Sequence, residues 1–490
     1  MPACAPPSSR AGRRRSPISK PTPRCAFQPV KACPDYYPER LGATPGGRVL
    51  EPVVFDGARL GKGFARLRPP LPECTRFGGM MVSRLDMPHL GRIGKLLRSA
   101  LRAAQLVSAD AWQRLRSPRG TTLHRGNALA AQLYATLLVR QVEILFSAHV
   151  EGLSMRDERV AGVVIRHGAR DRLIAARRGV VLATGGFSHD ASMRKRFFPA
   201  GAGFISAATA SATGDGIRLA TAAGAALNTD ATNVAYWVPA SLFRRTDGSR
   251  GVFPHMVTDR AKPGLIAVNA AGRRFVNEAL SHHEFVLAML REAKGEPDQP
   301  FHLICDRLFL WAYGLGRIKP FTRNYRRYVA SGELIEAADV AQLAVEIGIK
   351  PSVLAATIAS YNAAAKEGRD PEFGRGSTIY QRHLGDAAHK PNPCVAPIVR
   401  APFFTLRVYP ADLGTAIGMT VDAQARVLRK DGTPVAGLYA CGNDMGSIMN
   451  GNYPAPGITL GPALTFGYIA GRHLAEGSVA LPPRLATTPV

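Results

Sequence analysis

Three features of the sequence predict an α/β fold divided into two or three domains. Residues 148–183 read as alternating strands around short turns, and the last strand runs into Thr184-Gly185-Gly186-Phe187. Residues 337–347 and 353–366 are strongly helical and are split by Gly348-Ile349-Lys350-Pro351. A loop with glycines at 442, 446, 451, 457 and 461 opens a final helix over 462–475, with Gly477 just past its end. A chain of 490 residues can bury cores of this number.

The elements follow in order. Residues 1–25 hold Arg10, Arg13, Arg14, Arg15 and Arg24, no acid, and prolines that oppose an amphipathic helix. They read as a disordered basic tail rather than a transit peptide, with no apolar stretch for a secretory signal. Residues 34–72 are rich in Pro and Gly and predict irregular structure with short strands. Apolar residues Leu90, Ile93, Leu97, Leu101 and Ala104 recur at helical spacing and predict one or two amphipathic helices over 89–115. A further helix is expected over 126–140 and the start of a strand at 143–146. Strands follow at 160–166, 172–176 and 179–183. Residues 235–405 mix turns with helices, and 272–278 read as a turn followed by a short strand. Strands are expected again at 403–408, 419–421 and 437–440.

Composition narrows the function classes. Hydrophobic residues make up 46% and charged residues 20%, as in ordinary globular proteins. No apolar run approaches the ~18 residues of a membrane-spanning helix. The formal net charge of +27 raises nucleic-acid binding, yet the arginines are scattered and aromatics are only 7%, so no specific nucleic-acid partner is expected. Seven widely spaced cysteines without a C-x-x-C argue against a disulfide framework or a zinc site, and favour a reducing cytoplasm. No metal is expected.

The chemistry concentrates near the C-terminus. Pro462 lies where a first helical residue is expected, which would leave the N–H groups around Leu460 and Gly461 facing outward from a helix N-terminus. Such an end carries roughly half a positive charge and suits a group on which negative charge grows. A plain helix cap after a turn fits the same residues. Gly185-Gly186 would let a cofactor approach the backbone, or simply turn the chain at a strand end. Gly214-Asp215-Gly216 mimics a dinucleotide fingerprint without a clear preceding strand and reads as structural.

Five segments in order carry a resemblance. They are Ala183-Thr184-Gly185-Gly186-Phe187; Thr213-Gly214-Asp215-Gly216-Ile217; Pro263-Gly264-Leu265-Ile266 through Asn277-Glu278; Tyr409-Pro410-Ala411-Asp412-Leu413-Gly414-Thr415; and Gly442-Asn443-Asp444-Met445 through Gly461-Pro462-Ala463. Together they resemble the flavoprotein family of 3-ketosteroid dehydrogenases and fumarate reductases, from about residue 26 to the C-terminus. The resemblance implies a Rossmann-like FAD-binding domain, built from 26–235 and 405–490, with an inserted α+β capping domain over 236–404. The strand, G-x-G-x-x-G loop and helix with which family members begin are not found before Phe27, so the FAD domain is expected to be N-terminally incomplete.

By the same resemblance the cofactor is FAD, touched by Thr184, Gly185, Gly186, Gly442, Asn443, Thr459, Leu460 and Gly461. The substrate is a small ketone or enone, and the electron acceptor is unidentified. The Tyr453 hydroxyl and Gly457 N–H would hold the carbonyl oxygen as an enolate forms. A tyrosine that follows Asn-Glu in the ketosteroid enzymes acts as base there. In Asn277-Glu278-Ala279-Leu280-Ser281-His282-His283 that place is taken by His282. Other readings stay open: Tyr453 as a packing residue, and His282 as a surface histidine. A fumarate-reductase-like enzyme would clamp a carboxylate with His255, Arg260 and His283. A truncated, non-catalytic remnant unable to retain FAD is the third reading.

Overall fold

The computed structural model describes residues 25–90, 96–168, 170–256, 259–296 and 299–476. The tail expected over 1–25 lies outside these residues except for Cys25, as does Gly477. The chain forms two compact units, whose described parts are 25–145 with 317–322, and 146–316 with 323–476.

The smaller unit is built on short pairings. Phe27–Pro29 runs antiparallel to Leu50–Pro52, and Phe55–Asp56 to Thr122–Leu123. The Pro- and Gly-rich stretch thus folds as irregular structure with short strands, as its composition predicts. The helix Arg125–Val139 buries Ala128, Ala131 and Ala135 against Phe55, Leu60, Phe64 and Leu123. That spacing of three and four residues is one helical face. Gln132 on the same face receives Ala26 N–H at 2.6 Å and donates to Val53 O at 2.8 Å, which satisfies a buried amide with backbone partners. Helices Met87–Leu90 and Leu97–Arg114 stand where the amphipathic pattern places them.

In the larger unit the strand Phe403–Thr415 is the spine. Its 13 residues pair antiparallel with Ala235–Arg244, Phe301–Asp306 and Leu334–Ala337, and the sheet ends on Arg250–Pro254 and Leu265–Val268. Helix Pro351–Ala365 covers one face through Leu354, Ile358, Tyr361 and Ala365, which pack with Ile266, Val268 and Ile304. Proline at its first turn, after Gly348 in the left-handed region, explains the break between the two predicted helices.

A second sheet runs Arg426–Leu428, Pro434–Ala440, Val180–Leu182, and its last pair is parallel. Parallel pairing requires the chain to cross over, which separates these two strands by most of the sequence. Its core joins Leu182, Leu438, Ala440 and Met445 to Phe466 and Ala470 of the final helix Leu460–Glu476. A three-stranded meander covers His149–Arg156, Arg159–His167 and Arg170–Ala175. The fold is the mixed α/β arrangement expected.

Two local expectations are corrected. Residues 143–146 form no strand, because Gln141 and Ser147 on either side take left-handed backbone conformations (φ 53° and 54°) that break extension. Residues 272–278 make a turn with a single bridge, Val268 to Arg274, rather than a strand. The side chains there are drawn into a buried ion network instead. Glu278 accepts from Arg274 at 2.9 and 3.0 Å, from Arg375 at 3.1 Å and from the Ala267 N–H at 3.0 Å. Arg274 also grips Asp370 at 2.8 and 2.9 Å. The motif's charges are architectural.

Candidate active site

Three of the five sequence motifs meet around one carboxylate, and a fourth, 409–415, braces the loops beside it. Val180–Leu182 and Pro434–Ala440 lie side by side in parallel, so the loops at their C-terminal ends, 183–187 and 441–446, emerge together. Asp444 stands in a short 3-10 turn, Gly442–Asp444, and is wholly buried. Its Oδ1 accepts the Gly186 N–H at 2.8 Å and the Thr184 hydroxyl at 2.9 Å, and its Oδ2 accepts the Thr184 N–H. Thr184 Oγ1 accepts in turn from the Gly216 N–H at 3.1 Å. Burial pushes the Asp444 carboxyl above its ordinary pKa, against the pull of these hydrogen bonds.

The glycines are needed here for space. A Cβ on Gly216 would lie 2.6 Å from Asp444 Oδ2 and 2.7 Å from Thr184 Oγ1. One on Gly186, which has φ 82°, would lie 2.2 Å from Thr415 Oγ1. Asp412 of the 409–415 motif anchors the neighbouring loops through Arg194 at 2.6 Å and Ser206 at 3.1 Å. Sequence reasoning named Thr184, Gly185, Gly186, Gly442 and Asn443 but passed over Asp444, although it stands within the same run. The fifth motif, 263–278, supplies the ion network described above.

The final helix opens as expected in place and differs in detail. The Gly461 N–H donates to Gly457 O at 2.8 Å, so it closes a turn rather than facing outward, and Pro462 has none to offer. The N–H groups of Gly457, Ile458, Thr459 and Leu460 have no acceptor among the described residues. A Cβ at Gly457 or Gly461 would meet nothing within 4 Å, so this helix end faces open space. An open, donor-rich helix start beside a glycine-lined strand end fits a planar, electron-accepting ring. Thr184 to Gly186, Gly442, Asn443 and Thr459 to Gly461 are the residues that would flank it.

Tyr453, on the loop before this helix, is buried against aromatic neighbours. Its ring meets His282 edge-on with centroids 4.6 Å apart, Tyr236 at 5.8 Å, and His283 at 6.0 Å. Desolvation, with Tyr236 alongside, raises its hydroxyl to about 12. His282 and His283 open the helix His282–Ala293, capped by Ser281, whose hydroxyl accepts the Glu284 N–H at 3.1 Å. Both rings are fully buried, so His282 is no surface histidine. Burial holds His282 down at about 3 and His283 at about 4, and both are neutral at physiological pH.

Two members of the suggested carboxylate clamp are engaged elsewhere. His255 bonds Asp259 at 2.6 Å and Ser241 at 2.9 Å. The Arg260 guanidinium serves the carbonyls of His255, Met256, Glu278 and Leu280. Both side chains are buried. Among the described residues there is no cluster of metal ligands, and no helix is long and apolar enough to cross a membrane.

Comparison with known proteins converges on the same reading. A family model described as an FAD binding domain matches residues 25–460. The chain is 34% identical to 4-oxocyclohex-2-ene-1-carboxylate 5-dehydrogenase of Sinomonas cyclohexanicum, over 91% of this chain and 76% of that one. It is 34% identical to 3-oxosteroid 1-dehydrogenase of Mycobacterium tuberculosis, over 91% and 80%. Among solved structures it resembles the 3-ketosteroid delta1-dehydrogenase from Sterolibacterium denitrificans in complex with 1,4-androstadiene-3,17-dione. That likeness has a TM-score of 0.84 and 33% identity, and covers 92% of this chain and 81% of the other.

Proposed function

The chain belongs to the FAD-binding family of 3-ketosteroid and oxocyclohexane dehydrogenases, and from that membership we propose that it removes two hydrogens from adjacent carbons of a cyclic ketone, with His282, Tyr453 and Gly457 around the carbonyl. FAD supplies the two-electron oxidant that accepts the hydride. The residues of the chain do the rest. The Tyr453 hydroxyl and the Gly457 N–H hold the ketone oxygen, and the electron density arriving there as the enolate forms is shared between them. His282, neutral at working pH, takes the proton from the carbon beside the carbonyl. The double bond that results is conjugated with the ketone.

The observation that carries this reading is the edge-on contact of His282 with Tyr453, 4.6 Å between ring centroids, in a buried setting one turn of chain from Gly457. The engagement of His255 and Arg260 favours ketones over dicarboxylates. The divisions 26–235, 236–404 and 405–490 into FAD and capping parts belong to the same proposal. The free cysteines Cys25, Cys33, Cys305, Cys394 and Cys441 support a reducing, cytoplasmic setting. The test is anaerobic: FAD-loaded protein is mixed with a 3-ketosteroid or an oxocyclohexane carboxylate and an artificial electron-accepting dye. Bleaching of the dye with ketones and not with succinate supports the proposal. Turnover of dicarboxylates alone, or a protein that never retains FAD, sinks it.

A further inference from the structure

The backbone of Trp237 meets both neighbouring histidines, and meets them oppositely. Its carbonyl can only accept, and lies 2.7 Å from His282 Nδ1, so the neutral His282 ring carries its proton on Nδ1. Its N–H can only donate, and lies 3.2 Å from His283 Nδ1, so the proton of His283 sits on Nε2. Trp237 is fixed for this task. It is buried, it pairs with Asp412 in the central sheet, and its ring meets Phe198 at 5.3 Å.

His283 is therefore left with an N–H on Nε2. The His283 Nε2 is buried and has no hydrogen-bond partner among the described residues. A buried donor left unmatched in the protein alone calls for an acceptor that arrives with a ligand. Its ring lies 6.0 Å from that of Tyr453, the residue assigned above to the ketone oxygen. A ketone oxygen offers two lone pairs, which Tyr453 and Gly457 would fill. An enolate oxygen holds more charge and accepts a further donor.

We infer that His283 is a third donor of the carbonyl site, whose Nε2–H binds the substrate oxygen as it becomes an enolate. This rests on the ketone reading of the site and adds a residue to it. Its contribution falls on the charged state, so it acts on rate more than on ground-state binding.

The test uses FAD-loaded protein and para-nitrophenol, whose phenolate mimics the enolate and whose ionisation is read from its visible band, with cyclohexanone as the neutral comparison. For His283→Phe, preference for the phenolate should fall about tenfold while cyclohexanone binding changes by less than about threefold. His283→Gln keeps an amide N–H and should recover most of the preference. Nitrogen NMR of histidine-labelled protein, with signals assigned through His282→Phe and His283→Phe, should show the His282 ring protonated on Nδ1 and the His283 ring on Nε2. Equal loss for both ligands, no loss for either, or both rings protonated on Nε2 would overturn the assignment. Tyr453→Phe separates the two levels. If that variant binds phenolate undiminished, the ketone reading fails and this inference with it. If it loses phenolate and His283→Phe does not, the role of His283 alone is wrong.

Discussion

Asp444 accepts the N–H of Gly186 at 2.8 Å across 258 residues of chain, and the same carboxylate holds the hydroxyl and N–H of Thr184. Every one of these partners donates. Asp444→Asn would turn an NH₂ group toward at least one of them, and the variant should lose roughly 2–3 kcal/mol of stability with weakened FAD retention. Urea unfolding monitored with and without FAD checks both. An unchanged midpoint would mean that the carboxylate is dispensable.

Gly216→Ala tests the same junction by volume. Its new methyl would sit 2.6 Å from Asp444 Oδ2 and 2.7 Å from Thr184 Oγ1, and neither atom can retreat without giving up a hydrogen bond. The expected cost is about 1–3 kcal/mol, as for overpacking elsewhere. Thermal melting of the variant beside Gly461→Ala, where a Cβ meets nothing within 4 Å, should show a drop in the first only.

Tyr453→Phe removes a hydroxyl and keeps the ring that packs on His282 and Tyr236. The fold should survive, and kcat for ketone oxidation should fall by about a hundredfold to a thousandfold, the usual effect of deleting one oxyanion donor. Steady-state kinetics beside a melting curve decides it. A rise in KM alone, with kcat unchanged, would place the hydroxyl outside the chemical step.

Three buried histidines make stability depend on pH. His282 is held at about 3, and His283 and His302 at about 4, in each case chiefly by burial, against an ordinary ~6.5 in the unfolded chain. Their contribution is complete above the unfolded value and is lost as pH falls from about 6.5 towards 4, because only the unfolded chain takes up these protons. Each contributes about 1.4 kcal/mol per pH unit across that window. His302→Gln should flatten the slope of stability against pH by about one proton's worth, about 1.4 kcal/mol per pH unit. A slope unaffected by the substitution would show that other groups govern it.

Glu278 binds two arginines in the protein interior. Glu278→Ala would leave Arg274 on Asp370 and Glu372 but the buried Arg375 guanidinium with only backbone carbonyls as partners among the described residues, and should cost about 3–5 kcal/mol. Chemical denaturation of the variant measures this. A cost under about 1 kcal/mol would show that water enters and solvates the arginines.

Much of the fold was legible because local signals agree with it. Arg159–His167 and Pro351–Ala365 lie within a residue or two of their predicted positions, since apolar periodicity and the Gly348 to Pro351 break are local features. The strand expected at 143–146 failed for a backbone reason that composition does not reveal, the left-handed residues at 141 and 147. The site was legible in parts. Glycine-rich segments announced themselves, while Asp444 did not, because its meaning lies in partners some 260 residues away. His283 drew notice only as a clamp candidate. Its ring orientation depends on Trp237, 46 positions back, which no sequence pattern ties to it.

The strand Val180–Leu182 lies at the end of its three-stranded sheet, with Val181 38% exposed and no second neighbour among the described residues. An open edge of that kind, three residues long with Val181 exposed, can template strand addition by an extended chain, a second molecule included. Storage and refolding of this protein should therefore turn on concentration. Dilute refolding should give soluble monomer, and concentrated samples should convert slowly to species that bind amyloid dyes. Val181→Lys, a charge placed on the open row, is the substitution that should extend shelf life without touching the chemistry.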